Sequence, residues 1–212
     1  MTSQPEPVVS YGMSARDYLA RARDRLDEGS RAALFYAAFE LRCGVESRMR
    51  EYLRAQKTIS ESKKDGWRIA KLAKDIEAVF KSGDKYVEIG IIDPSTGQVL
   101  RLFIYTPVRA NLRSAAERLG DLLHAARQYR ADSDPWWQET RAFLEETWRE
   151  LYLATRGELL GVPLIEKATG QLQLQLQFHD RKEEYQRYIR KGTAAILGVK
   201  YHDQPPPSLG AV

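Results

Sequence analysis

Apolar residues recur at helical spacing along most of the chain. In SARDYLARARDRLDEG, Tyr18, Leu19, Ala22 and Leu26 form one stripe; Ser14 is placed to cap it, Asp17 sits in the first turn and Gly29 ends it. The stretch from about 30 to 56 repeats the pattern with Leu34, Ala38, Leu41, Val45 and Tyr52 on one face. The short turn between them predicts an antiparallel helical hairpin. After the polar segment ISESKKDG, Asp65 is placed to cap a third helix that carries Trp67, Ile69, Leu72, Ile76, Val79 and Phe80 and stops at Gly83. The runs YVEIGII and QVLRLFIYT flank DPSTG, which predicts a β-hairpin over about 85–106. A fourth helix is expected from after Pro107 to about Arg130. A fifth runs to Arg156, with Asp134 as cap and Pro135 at its first position.

From Gly157 the period changes. LLGVPLI and QLQLQLQF flank the turn EKATG, and the second run alternates Leu and Gln as a half-wet strand does. A short helix, RKEEYQRYIRK, and a last strand, AAILGVKYH, follow. The fold expected is mainly α (α+β). A flexible arm covers 1–13, a helical bundle with the inserted hairpin covers 14–156, a small α+β appendage covers 157–203, and a disordered proline-rich tail covers 204–212.

Composition narrows the function more than the fold. At 212 residues the chain can build a real core, and 43% hydrophobic with 29% charged residues is ordinary for a globular protein. No apolar run is long enough to cross a bilayer, and MTSQPEPVVSYG lacks the basic and apolar regions of a secretory signal. Cys43 is the single cysteine, and His124, His179 and His202 lie far apart, so no metal-ligand spacing is present. These features point to a reducing cytoplasm and to no metal and no cofactor. A net charge of +4 permits nucleic-acid binding without demanding it.

Two charges stand out on the second helix. At about 100° per residue, with Leu41 as zero, Leu34, Val45 and Tyr52 lie within about 40°. Phe35, Phe39, Met49 and Leu53 lie between about 80° and 160° on the same arithmetic. Arg42, at about 100°, and Glu46, at about 140°, fall inside this arc and form an i, i+4 pair. They are expected as a buried ion pair, joined by a charge from the fourth helix, or as the lining of a polar pocket. Removing Glu46 from a truly buried pair costs about 3–5 kcal/mol.

RLGDLLH, residues 118–124, is the second candidate. With Leu119 as zero, Leu112, Ala115, Ala116, Leu122, Leu123 and Ala126 lie within about 60°. His124 falls at about 140°, beside Arg113, Glu117 and Gly120, and Arg118 at about 260° on the opposite flank. Within one helix Arg118 and His124 do not meet; they converge only through a second copy or a neighbouring helix. Gly120 leaves space under His124 for another backbone to approach.

The helix order, FYAAFELRCGVESRMREYL and RLGDLLH together resemble the HEPN superfamily over about residues 14–131. The resemblance implies a small helical bundle that forms a homodimer. It also implies, for many members, a metal-independent ribonuclease of toxin-antitoxin or defence systems. By the same resemblance Arg118 and His124 match the family's arginine and histidine motif. The histidine would move a proton as the RNA 2′-hydroxyl attacks its phosphate, and the arginine would hold the phosphorane charge. The alternative for His124 is helix packing, bonded to Glu46 or to a backbone carbonyl. The apolar Leu119 after the arginine departs from the family's usual polar residue, and the hairpin and appendage lie outside its minimal domain.

Two further features are weighed. Lys63, Lys64, Arg68, Lys71 and Lys74 cluster as a phosphate contact or a solvated helix face. Trp136 and Trp137 with Arg141 stack a base, or else lock the fifth helix onto the bundle. No dinucleotide, P-loop, nucleophile-elbow or zincin motif is present. Two functions remain: a ribonuclease or toxin-like component acting on RNA, or a non-catalytic dimeric module that binds a protein partner.

Overall fold

The computed structural model describes residues 11–56, 60, 68–124, 130–162, 164–165, 172–173, 175–176 and 196–210. Helices α1 (Ala15–Glu28) and α2 (Arg31–Ala55) start where a serine can take up an orphan N–H. Ser14 and Asp17 form a reciprocal capping box on α1, and the Ser30 hydroxyl accepts from the Ala33 N–H on α2. Only Gly29 and Ser30 separate the two helices. Gly29 makes the turn at φ 73°, a conformation that a Cβ would strain.

α3 (Ile69–Phe80), α4 (Ala110–Leu122) and α5 (Trp136–Arg156) complete five helices among the described residues, and α2 touches the other four. Leu41, Val45, Met49, Tyr52 and Leu53 of α2 are fully buried at the centre. Asp65 and Trp67 lie outside the described residues. α3 ends through Lys81, which takes the left-handed conformation two residues before Gly83, where the helix was expected to stop. At α5, Pro135 stands just before the first turn, and Asp134 Oδ1 accepts from the Trp136 N–H at 2.9 Å.

The hairpin forms as expected, from β1 (Tyr86–Ile92) and β2 (Val99–Tyr105), with Asp93 Oδ1 accepting from Ser95 in the turn. β3 (Leu164–Ile165) and β4 (Leu172–Gln173) form a second short antiparallel pair. The helix expected over RKEEYQRYIRK lies outside the described residues.

Three expectations are corrected. The fourth helix ends at Leu122, not near Arg130, with the Leu123 N–H closing a tighter turn onto the Gly120 carbonyl. Gly120 in its last turn weakens propagation. The last strand, β5 (Ile196–His202), does not stay within a separate appendage. It pairs antiparallel with β1 along its whole length, giving the order β2-β1-β5 and covering a sheet edge that the hairpin alone leaves open. The tail is not disordered over its described part. Pro207–Leu209 forms a 3₁₀ turn, Leu209 packs with Tyr86, Ile104 and Leu153, and Arg156 Nη2 donates to the Leu209 carbonyl at 2.8 Å. The burial of Leu209 offsets the ordering cost that composition alone suggests is unmet.

Candidate functional site

The flank of α2 that carries Arg42 and Glu46 also carries Arg50, one turn further on. Arg42 Nε lies 3.3 Å from Glu46 Oε1, and Arg50 Nη2 lies 3.5 Å from Glu46 Oε2. One carboxylate thus bridges two guanidinium groups. The fourth helix joins them through a carbonyl rather than a charge: Arg42 Nη1 donates to the Ala116 oxygen of α4 at 3.2 Å. The guanidinium lies over Gly120, where an added Cβ would collide with Nη1. The space at Gly120 is therefore filled by an α2 side chain rather than by a second backbone.

Burial of this group is partial. Side-chain exposure is 25% for Arg42, 14% for Glu46 and 31% for Arg50. Phe39, placed by angle at the far edge of the apolar arc, is 47% exposed, so the arc closes before it. The pair is largely but not fully buried, and an ion pair with this access to water contributes about 1 kcal/mol rather than the larger figure for a fully buried one. Burial raises the Glu46 pKa, against the pull of Arg42 and Arg50. Burial, followed by Glu46 and Glu40, pushes the neighbouring Cys43 thiol up to about 11, so the thiol stays protonated and a poor nucleophile at neutral pH.

The fit at Gly120 sets a prediction. Alanine there gains about 1 kcal/mol of helix propensity. It also displaces the far end of a flexible arginine and its bond to Ala116. Gly120→Ala alone is expected to leave stability within about 0.5 kcal/mol of the parent, whereas in an Arg42→Ala background it stabilises by about 1 kcal/mol. Urea unfolding of the four chains measures the difference. Equal effects of Gly120→Ala in both backgrounds would show that Arg42 does not occupy that space.

Arg118 and His124 are not brought together. The Arg118 side chain is exposed, and its guanidinium lies 4.2 Å over the Phe143 ring of α5. His124 lies two residues past the end of α4, is exposed, and makes no hydrogen bond among the described residues. Glu46 is held by the two arginines, so the packing alternative that joined His124 to Glu46 is not what this structure holds.

Lys63 and Lys64 lie outside the described residues; Arg68, just before α3, and Lys71, within it, are exposed. Trp136 and Trp137 serve packing. Their rings meet at 4.9 Å, edge to face, and both contact Phe35 of α2. Arg130 and Arg31 cover the two rings, and Trp137 Nε1 donates to the Ala131 carbonyl at 3.0 Å.

The charge that sequence reading missed is Arg48, whose side chain is fully buried. Its Nε donates to the Tyr52 hydroxyl at 2.9 Å and to the Ala154 carbonyl at 2.8 Å, and its Nη1 pairs with Glu51 at 3.0 Å. Burial alone would lower its pKa; Tyr52 and Glu51 outweigh that and hold it above its ordinary value. A cleft of about 410 Å³ lies beside this core, walled by Met49, Ile76, Tyr105 and Val108. At its rim Asp84 pairs with Arg113 at 3.0 Å and caps α4 through the Ala110 N–H, so both charges already have structural work.

Among the described residues no three His, Cys, Asp or Glu side chains cluster in a way that would hold a metal ion. Nor is any helix among them long and apolar enough to cross a membrane. No family model, no curated protein and no solved structure matches the chain.

Proposed function

We propose that this chain is a HEPN-like, non-catalytic interaction module that works as a homodimer through its surface. The observation that carries the reading is the outer edge of the sheet. β5 runs for seven residues, and its Ile196, Leu197, Val199 and Tyr201 are 55%, 42%, 47% and 56% exposed. Folded proteins blunt an edge strand with charge, proline, a bulge or a covering element, because an open edge templates pairing with another chain. β5 carries one lysine and no proline, and its pairing with β1 is continuous. An apolar edge of this kind marks a binding surface. The exposed charged groups of α4 support no comparable assembly within one chain, since Arg118 rests on Phe143 and His124 sits off the helix.

A metal-independent ribonuclease is the second reading. It is favoured by one placement: the Arg42 guanidinium is anchored over Gly120, four residues before an exposed His124. On that reading Arg42 supplies a cation on the flank of α4 opposite to Arg118.

The test that separates the two is cleavage of labelled RNA in excess EDTA. The module reading expects no cleavage by the parent chain. Metal-independent cleavage that falls by about 10²-fold or more in both His124→Ala and Arg118→Ala would overturn it in favour of the ribonuclease. Cleavage that needs Arg42 but not Arg118 would place the site on the other flank.

A further inference from the structure

The direction of the sheet's hydrogen bonds can be followed from one edge to the other. The Ile104 carbonyl of β2 accepts from the Leu159 N–H, on the side away from β1. In an antiparallel strand the two backbone groups of a residue point the same way, and the direction alternates along the strand. Arg101, Phe103 and Tyr105 therefore bond to Ile91, Ile89 and Val87, their partners on β1. The remaining residues of β1, Tyr86, Glu88, Gly90 and Ile92, turn toward β5 and bond to His202, Lys200, Gly198 and Ile196. By elimination, the N–H and C=O groups of Leu197, Val199 and Tyr201 point out at the free edge of β5. Among the described residues nothing pairs with that edge.

The same three residues carry the exposed apolar side chains of one sheet face. It is the face on which Val87, Ile89, Phe103 and Tyr105 are buried beneath the helices. Among the described residues no helix packs on β5 as the helices pack on β1 and β2, and the apolar stripe continues there as exposed side chains.

We infer that β5 pairs antiparallel with β5 of a second copy, about a two-fold axis through Val199, to make one continuous sheet across a homodimer. This rests on the dimeric-module reading above and names its surface. The strand is self-complementary in that register. Val199 meets its own copy, and Leu197 meets the copy's Tyr201, so every outward backbone group finds a partner and the apolar stripes run side by side on one face. On the other face Lys200 falls opposite Gly198 and His202 opposite Ile196. Neither basic side chain is set against its copy, as like charges directly opposite would be. A strand-wide contact lies at the small end of interface sizes, so the dimer is expected to be weak and reversible, on the order of 10 µM.

The register can be tested directly in the full chain, with Cys43→Ala as background. Directly opposite residues of a hydrogen-bonded antiparallel pair have Cα atoms about 5.5 Å apart, within disulfide range. Val199→Cys is expected to cross-link to itself under mild oxidation. Leu197→Cys alone is not, since its copy lies about 13 Å away along the strand. An equimolar mixture of Leu197→Cys and Tyr201→Cys is expected to cross-link as a mixed dimer. Sedimentation equilibrium supplies the second readout: Val199→Lys, with an unchanged melting transition, is expected to weaken the dimer at least about ten-fold by edge repulsion. If the parent chain dimerises but Val199→Lys leaves the affinity unchanged and Val199→Cys does not cross-link, the β5 contact is overturned and the dimer reading stands on another surface. A parent chain that stays monomeric up to about 100 µM, where contacts of this class are populated, overturns both.

Discussion

Arg48→Ala is expected to lower the stability of the chain by about 3–5 kcal/mol, the largest effect of any single substitution in α2. The reason is the company that Arg48 keeps. Ala154 lies in the last turn of α5, which ends at Arg156, so its carbonyl has no donor within its own helix. Arg48 Nε supplies one from across the core, at 2.8 Å, and Thr106 Oγ1 supplies a second at 2.7 Å. The Tyr52 hydroxyl accepts from Arg48 and donates to the Thr106 carbonyl just past β2. The guanidinium also lies 4.5 Å over the Tyr52 ring. One side chain thus ties the central helix, the end of the hairpin and the C-terminus of α5, and its positive charge complements that helix end. Alanine leaves a cavity and several buried polar groups with fewer partners, whereas Arg48→Met refills the volume and is expected to recover part of the loss. Urea unfolding of the three chains is the measurement. A loss under about 1 kcal/mol for the alanine variant would mean that the junction is held by apolar packing instead.

The burial of Arg48 is legible in the spacing of α2. Seven residues after Leu41, it falls about 20° away on the helical wheel, closer to the centre of the apolar face than Arg42 or Glu46. Arg42 and Glu46, at the rim of the arc, form a partly exposed bridge, whereas Arg48, near its centre, is the buried charge. Glu51 and Tyr52 are legible as partners at i+3 and i+4, but Ala154, and the Thr106 carbonyl that Tyr52 reaches, are not, because spacing along one helix carries no information about them. The same division explains the rest. Ser14, Ser30 and the DPSTG turn act on their own neighbours, and the elements that they bound were readable. The end of α4 was not, because the apolar stripe continues past Leu122, which still packs against the core, into Leu123, which has no surface to bury it among the described residues. Leu123 is 39% exposed. The strand character of residues 196–202 was readable from composition, but its place beside β1 is a pairing across more than a hundred residues. For the candidate site, helical angles alone put Arg118 and His124 on opposite flanks. The packing of Arg118 on Phe143 needed α5, which no pattern within α4 encodes.

Gly157→Ala is expected to cost about 1–3 kcal/mol, toward the upper end of what overpacking a core position costs. The backbone of Gly157 is not the cause. At φ −63° and ψ 142° it sits in extended space that any residue adopts. The cause is proximity: an added Cβ would lie 2.7 Å from the Ile104 carbonyl oxygen and from Thr106 Oγ1, and 2.9 Å from the Thr106 nitrogen. Two of those three atoms belong to the backbone at the end of β2, which has little freedom to yield. The Ile104 carbonyl is already bonded to the Leu159 N–H, and the Thr106 carbonyl to Tyr52. Moving either strains the junction that Arg48 holds from the other side. The contrast with Gly120 separates two kinds of close approach, since the atom in the way there is the end of an arginine that can swing aside. The expected order is therefore Gly157→Ala well below the parent and Gly120→Ala near it, read as shifts in the urea midpoint at constant slope. Gly157→Ala at parental stability would show slack between α5 and the sheet, and the Arg48 junction would then be too loose to fix how β5 is presented.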